Sequence, residues 1–267
     1  MNRVKQLLAA VLAVSALSLA ALHARHEGPP ILLLTAVVLG DEETVEQRLS
    51  ARAFATEELP LAFNWAIYFD HPTIFWRLSA RYALPPQALH EALYYRRVPL
   101  IKELIARTPN INALQVNGYT PLAIALQLNQ LDHVAAILAR GANPNQVILQ
   151  SHTPLSLAIQ SGTAEAVKLL LRHGANPRFP SPVSRETALE LAVRLRRMEA
   201  VKAIVGHDPQ TLHAPNFLGQ GPLHQATLNR DPAMVRLLVG LGADQKMKDR
   251  QGLTANQWEQ QLAPEVQ

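Results

Sequence analysis

The sequence predicts an all-α protein, a solenoid that stacks short helix pairs. The main evidence is a segment that recurs at a nearly fixed spacing. Its copies begin 33 or 34 residues apart, at Gln87, Thr120, Thr153, Thr187, Gly221 and Thr254. A fixed period of this length indicates a repeat architecture, in which each unit buries its apolar faces only by stacking on its neighbours.

Each copy is predicted to be a helix, a tight turn, a second helix and a loop. A threonine at the start can cap the first helix with its hydroxyl, and proline suits the next position because the N–H it lacks would have no partner there. A small residue recurs five positions on and allows neighbouring helices to approach closely, at Ala125, Ala158, Ala192 and Ala226. Glycines suited to a left-handed helix end follow the second helices, at Gly141, Gly174 and Gly242.

The second helix of each copy is predicted to pack through apolar residues at helical spacing. These stripes are Val134, Ile137 and Leu138; Val167, Leu170 and Leu171; Val201, Ile204 and Val205; and Val235, Leu238 and Val239. Since one helix pair cannot cover its own apolar faces, stacking of the copies is expected to form the core.

The motifs of these copies resemble the ankyrin repeat. They read TPLAIA, TPLSLA, TALELA and GPLHQA, with the closing turns RGANPN, RHGANP and LGADQK. The resemblance is strong from about Gln87 to Gln260, and the segments 30–50 and 61–80 are predicted to be divergent copies. It implies an ankyrin-repeat solenoid of about six to seven repeats with a C-terminal capping half-repeat. Residues 206–209, which lack the Gly-Ala pair, and the long loop 179–185 depart from the family pattern.

The N-terminus predicts export of the rest of the chain. Arg3 and Lys5 precede 16 uncharged residues, and the first acidic residue is Glu27. This order is typical of a secretory signal. An uncleaved membrane anchor is the alternative, and the bulk of the chain lies outside in both cases. The predicted location is periplasmic or secreted, or anchored in the inner membrane with the repeats outside the cytoplasm.

These observations divide the chain into three parts. Residues 1–24 are a signal peptide or membrane anchor, preceding the solenoid as an apolar helix. Residues 25–86 are divergent N-terminal ankyrin-like repeats. Residues 87–267 are ankyrin repeats with a C-terminal cap. A membrane is expected to be contacted only through residues 1–24, if they are not cleaved.

Composition excludes several kinds of site. The chain has 267 residues and no cysteine, which excludes disulfides and cysteine metal ligands. After Arg3 and Lys5 it has 23 Lys and Arg against 21 Asp and Glu, a balance that does not favour nucleic acid. No HExxH, GxSxG or phosphate-binding loop occurs. We therefore expect no enzyme, no catalytic residue, no metal site and no cofactor.

The ankyrin resemblance implies that a protein partner binds on a concave surface formed by the hairpin loops and the first helices. The residues predicted to face that surface are Gln115, Asn117, Tyr119, Gln127, Ile148, Gln150, His152, Gln160, Glu186, Arg194, Asn216, Leu218 and Gln220. In the same family a histidine at the position of His90 and His224 hydrogen-bonds the backbone of the neighbouring loop. Arg194, Arg196, Arg197 and Lys202 are predicted to form a solvated basic face, with an acidic partner as the alternative.

Ten of the aromatic residues lie between Phe54 and Tyr95. They are either the bulky core of the divergent repeats or an exposed patch that docks a partner. Neighbouring residues on a helix diverge by about 100°, so a pair such as Phe75 and Trp76 cannot point inward together. At least one of these side chains is expected to be partly exposed.

The function implied by the resemblance is protein binding. With the predicted export signal, the chain is expected to be an interaction module that binds a protein partner outside the cytoplasm. The alternative is a stoichiometric inhibitor, such as an immunity protein, of a periplasmic toxin or enzyme.

Overall fold

The computed structural model describes residues 33–52, 54, 58–114, 118–148, 152–181 and 185–262. The predicted N-terminal signal, residues 1–24, lies outside them. Over the described residues the regular structure is helical, apart from one isolated β-bridge between Lys248 and Thr254. The chain divides into two compact units, Met1–Thr108 and Pro109–Gln267.

The described part of the first unit contains three helix pairs. Their bounds are α1 Leu33–Leu39 and α2 Glu42–Ala51; α3 Glu58–Tyr68 and α4 Pro72–Ser79; and α5 Ala88–Tyr94 and α6 Val98–Arg107. The two helices of each pair pack together, and the first helices α1, α3 and α5 pack in sequence on one another.

The described part of the second unit contains four helix pairs and a last single helix. The pairs are α7 Pro121–Gln127 and α8 Leu131–Ala139; α9 Pro154–Ser161 and α10 Ala164–Arg172; α11 Ala188–Arg194 and α12 Met198–His207; and α13 Pro222–Leu228 and α14 Pro232–Gly240. A short 3-10 helix, Pro209–His213, follows α12, and the last helix is α15 Ala255–Leu262. Helix α15 packs on α13.

The predicted threonine caps are confirmed. The side chains of Thr120, Thr153 and Thr187 each accept a hydrogen bond from the backbone N–H three residues on, at 3.2, 3.1 and 3.3 Å. At Thr187 the cap is reciprocal, because Glu190 Oε2 accepts from the Thr187 N–H at 2.7 Å and from its hydroxyl at 2.9 Å. These bonds satisfy N–H groups that a helix start otherwise leaves unpaired.

The tight turn within each pair contains one residue with positive φ. These residues are Gly40, Asp70, Arg96, Asn129, Gly162, Arg196 and Arg230. Five of them carry a side chain, so the left-handed turn forms here without the glycine that usually favours it. The glycines predicted to end the second helices do have left-handed backbone, with φ of 93° at Gly141, 87° at Gly174 and 96° at Gly242.

The recurring alanines and most of the predicted apolar stripes are buried. Ala125, Ala158, Ala192 and Ala226 have no exposed surface. The stripe predicted for the last pair is wrong in part, since Met234 and Leu238 are fully buried while Val239 is 37% exposed. The reason is that a first helix alone, α15, follows this pair in the described chain, so no further second helix covers α14.

A row of side-chain hydrogen bonds links successive loops of the second unit. Asn112 Oδ1 accepts from the Asn143 N–H at 2.7 Å, and Asn145 Oδ1 accepts from the Asn176 N–H at 2.8 Å. At the next step the asparagines are replaced by a charged pair, in which Arg178 Nε and Nη2 donate to the two Asp208 carboxylate oxygens at 2.6 Å each. The loop whose Gly-Ala pair is missing is therefore held by an ion pair.

Candidate protein-binding site

Three first helices of the second unit present the same position to solvent. Gln127, Gln160 and Arg194 each lie two residues before the positive-φ residue of their turn, and all three are exposed. The shared position follows from the shared cap and turn, since both ends of each first helix are fixed in the same way. Leu228 has the same place before Arg230 in the last pair and is half-buried.

Four of the predicted contact residues lie together. Gln160 Nε2 is 3.4 Å from His152 Nδ1, and Arg194 donates to both Glu186 carboxylate oxygens, from Nε at 2.7 Å and from Nη2 at 2.9 Å. All four side chains line one cavity of about 210 Å³. Its wall also includes Ser156, Phe179, Ser181 and Leu191. Loop residues that precede α9 and α11 thus meet the ends of the same two helices.

The side chains of this cavity could contact a partner that presents a polar group beside an apolar one. The hydrogen bonds from Arg194 to Glu186 raise the pKa of the guanidinium. Both partners keep exposed surface, and Arg194 can therefore donate hydrogen bonds to an additional or a replacement carboxylate without leaving a buried environment. Phe179 adds an exposed ring at the same wall. Arginine and aromatic side chains are frequent hot spots of protein interfaces.

The hairpin at residues 216–220 presents a second, apolar feature. Asn216 Oδ1 accepts from the backbone N–H groups of Leu218 and Gln220, at 2.9 Å each. This turn directs Phe217 and Leu218 into solvent, and Phe217 is 55% exposed. Leu218 was predicted to face a partner, and Phe217 was not. The available signal was the sequence Asn-Phe-Leu-Gly, because asparagine and glycine favour a turn and turns lie on the surface.

Four other predicted contact residues have little or no exposed surface, and three lie outside the described residues. Ile148 and Gln220 are buried, and Tyr119 and Asn216 are half-buried. Gln115, Asn117 and Gln150 are outside the described residues. Ile148 is held by its backbone, whose N–H donates to the His152 carbonyl at 3.0 Å.

The basic cluster is balanced by local partners. Arg194 pairs with Glu186, Arg196 lies 3.5 Å from an Asp231 carboxylate oxygen, and Lys202 lies 2.7 Å from one of Glu199. Arg197 Nη2 donates to the Gln160 carbonyl at 3.3 Å. For Arg196, Arg197 and Lys202 this pairing favours a solvated face over a dedicated acidic-partner site, whereas Arg194 also lines the cavity described above.

The two motif histidines are buried. His224 Nδ1 accepts from the Gly221 N–H at 3.2 Å, and its Nε2 lies 3.1 Å from the Leu253 carbonyl oxygen. This is the loop contact that the family resemblance implied for His224. Across the described ranges, no group of three or more His, Asp or Glu is arranged to hold a metal ion. None of the helices in those ranges has the length and apolar character needed to cross a membrane.

The aromatic residues of the first unit are partly core and partly exposed. Phe63 and Phe75 are buried and pack edge to face, with ring centroids 5.3 Å apart. Trp65, Tyr68 and Trp76 are half-buried. Tyr94 is 44% exposed. The expectation that not all of these rings point inward is confirmed.

Comparison with known proteins agrees with this architecture. The family model described as "Ankyrin repeats (3 copies)" matches residues 33–148 and, again, residues 141–213. The crystal structure of the ankyrin repeat protein EF0377 has a TM-score of 0.60 and 28% sequence identity, and the alignment covers 67% of this chain and 93% of that one. The nuclear factor NF-kappa-B p100 subunit of Gallus gallus is 38% identical over 68 residues, which are 24% of this chain and 8% of that protein. The chain belongs to the ankyrin repeat family.

Proposed function

We propose that the protein binds a protein partner outside the cytoplasm, through the first-helix face of its second unit. The observation that carries this proposal is the convergence of His152, Gln160, Glu186 and Arg194 on one cavity. These residues come from two successive repeats, so the surface exists only when the repeats are stacked. Phe179, at the wall of that cavity, supplies the apolar contact area that interfaces need.

We also propose that each helix pair is one repeat. On this count the described chain holds seven repeats, three in the first unit and four in the second, and α15 is the capping half-repeat. The export signal at residues 1–24 completes the proposal. It supports a periplasmic or secreted location, or an inner-membrane anchor with the repeats outside.

The binding proposal is tested by affinity capture with the full chain, tagged at its C-terminus, from the extracytoplasmic fraction. Changing Arg194→Ala should reduce the captured partner about fivefold, which corresponds to about 1 kcal/mol. The matched control is Lys168→Ala, a half-exposed charged residue on the second helix α10, where Lys168 Nζ lies 2.9 Å from a Glu165 carboxylate oxygen. Equal capture by wild type and Arg194→Ala would contradict the proposed site.

The stoichiometry of capture separates a general module from an inhibitor. A single toxin or hydrolase recovered near one-to-one, with its activity lost on binding, would favour the inhibitor. Several envelope proteins recovered below that ratio would favour a scaffold. Export is tested by a reporter that is active only outside the cytoplasm, fused after Gln267. We expect activity from the full chain and none after deletion of residues 1–24, and an inactive full-length fusion would contradict export.

A further inference from the structure

The cavity lined by α9, α11 and the loops before them has room for one side chain. Its volume is about 210 Å³. A water molecule takes about 30 Å³ of the liquid, so the cavity holds about as many non-hydrogen atoms as a single large side chain has. A helix or strand of a partner is too wide to enter it. The partner is therefore expected to insert one side chain here and to lay its neighbouring residues on the rim.

Part of the cavity wall is apolar. Leu155, Ala188 and Leu191 contribute to it from the two first helices, and their remaining surface is buried. Phe179 lies at the same wall with 41% of its surface exposed. The methylene groups of an inserted side chain would cover these apolar atoms, and an apolar neighbour in the partner would cover the Phe179 ring.

Arg194 has one hydrogen-bonding edge engaged by Glu186 and a second edge that can bind a partner. Its Nε and Nη2 donate to the two Glu186 carboxylate oxygens at 2.7 and 2.9 Å. Because a guanidinium is a planar fork with N–H groups on two edges, Nη1 and Nη2 can donate to another carboxylate. Glu186 holds the guanidinium in position, so an entering acidic group meets an already ordered donor.

His152 supplies another donor to the same cavity. The Gln160 side-chain nitrogen lies 3.4 Å from His152 Nδ1. An amide nitrogen only donates, so Nδ1 is the acceptor of this pair and the ring N–H is on Nε2. The described lining contains one carboxylate, that of Glu186. The donors from Arg194 and His152 belong to neighbouring repeats and meet in this one space.

The charges around the cavity are slightly positive in sum. Four arginines lie on the lining segments or bond to them: Arg178, Arg185, Arg194 and Arg197. The described carboxylates in the same region are those of Glu186, Glu190 and Asp208. One acidic side chain from a partner would balance this excess, whereas a basic one would increase it.

We propose that the cavity receives a glutamate or aspartate side chain of the partner, with its carboxylate on Arg194 and His152 and an apolar neighbouring residue on Phe179. This inference rests on the proposed function, because it names the chemistry of the partner segment at the same site. Hydrogen bonds between a guanidinium and a carboxylate are stronger than those to a neutral amide. The site therefore discriminates an acidic side chain from its amide counterpart.

The test is an NMR titration of the full chain with three short peptides. The first contains Glu-Phe between glycines and has an amidated C-terminus. The second has Gln in place of Glu, and the third is the second with a free C-terminal carboxylate. The readout is the Nε–H signal of Arg194, which is identified by its loss in Arg194→Gln. The glutamate peptide should bind at least about fivefold more tightly than the glutamine amide.

Two variants should change the affinity for the glutamate peptide in opposite directions, with backbone amide shifts around the cavity as the readout. Arg194→Gln should weaken binding by about fivefold, because the charged donor is lost. Glu186→Gln should strengthen it by about threefold, because a neighbouring like charge is removed while an amide oxygen still accepts from Arg194. The matched control is Arg172→Gln, the same charge change at an exposed position of the second helix α10. It should alter the affinity by less than about twofold.

Equal binding of the glutamate and glutamine amides, or no saturable shift with the glutamate peptide, overturns the inference. Unchanged affinity in Arg194→Gln, or weaker binding in Glu186→Gln, does the same. Tighter binding of the free-carboxylate peptide than of the glutamate peptide also overturns it, because the site would then recognise a chain end. Capture that depends on Arg194 without peptide discrimination refutes this inference alone, and peptide discrimination without such capture refutes the proposed function alone.

Discussion

Two adjacent residues of α14 give the sharpest test of the repeat packing. Leu238 is fully buried and Val239 is 37% exposed, although periodicity alone assigns both to the core. Leu238→Ala removes a buried side chain and should lower the free energy of unfolding by about 2–5 kcal/mol. Val239→Ala removes two methyl groups, worth about 0.8 kcal/mol each when fully buried, from a side chain that is about two-thirds covered. Its cost should be about 1 kcal/mol.

The assay is urea unfolding followed by circular dichroism at a helix band. Hydrogen exchange of the α14 amides adds a local measure, since a repeat near the end of a stack can open before the rest. We expect Leu238→Ala to shift the midpoint at least twice as far as Val239→Ala and to raise α14 exchange more strongly. Equal shifts, or a larger shift for Val239→Ala, would mean that another element covers α14.

Three further outcomes are expected. Thr187→Ala removes the reciprocal cap at α11 and should cost about 1 kcal/mol, or about 2–4 °C in melting temperature, whereas Thr187→Ser should keep both; a wild-type melting temperature for the alanine variant would contradict the cap. Arg52→Gly should stabilise the protein by about 0.5–1 kcal/mol, because Arg52 has a left-handed φ of 50° at the end of α2 that glycine adopts readily. Arg48→Gly inside the same helix should destabilise it by about 1 kcal/mol. Thermal unfolding of both variants measures the two shifts, and equal signs would contradict the prediction. Hydrogen bonds from Arg178 lower the pKa of the Asp208 carboxyl in the folded state. The pair therefore stabilises the fold above the ordinary carboxyl pKa, and this stabilisation is lost as the pH falls through the lower folded pKa. The free energy of unfolding of Asp208→Asn should accordingly fall less steeply with acid, and an unchanged slope would contradict this linkage.

Sequence predicts best what is decided within one repeat. The caps at Thr120, Thr153 and Thr187 depend on atoms three residues away, and the left-handed ends at Gly141 and Gly174 depend on local backbone. Both were predictable because the signal and its cause lie in the same short segment. The family match from Leu33 to His213 follows from the same local pattern.

Features set by neighbouring repeats were not predictable in the same way. The turns at Arg96, Arg196 and Arg230 adopt positive φ without glycine, since the flanking helices fix the turn. Val239 is exposed because no second helix follows α14 in the described chain. The sequence of α14 alone cannot indicate this. All four residues of the candidate site, His152, Gln160, Glu186 and Arg194, were predicted through the family resemblance. The sequence did not indicate how the loop before each helix folds back, which buries Ile148 and exposes Phe179.

The row of hydrogen bonds between successive loops also bears on where a repeat can be inserted or lost during evolution. Where asparagines bridge the loops, one repeat can replace another, because each repeat offers an asparagine Oδ1 to a backbone N–H of the next loop. Arg178 and Asp208 break that equivalence, since each needs the other at a separation of one repeat. A duplication inserted between them would set both charges opposite asparagines. The ion pair therefore makes this junction chemically different from the asparagine-bridged junctions before it, and a copy inserted here would separate the two charges.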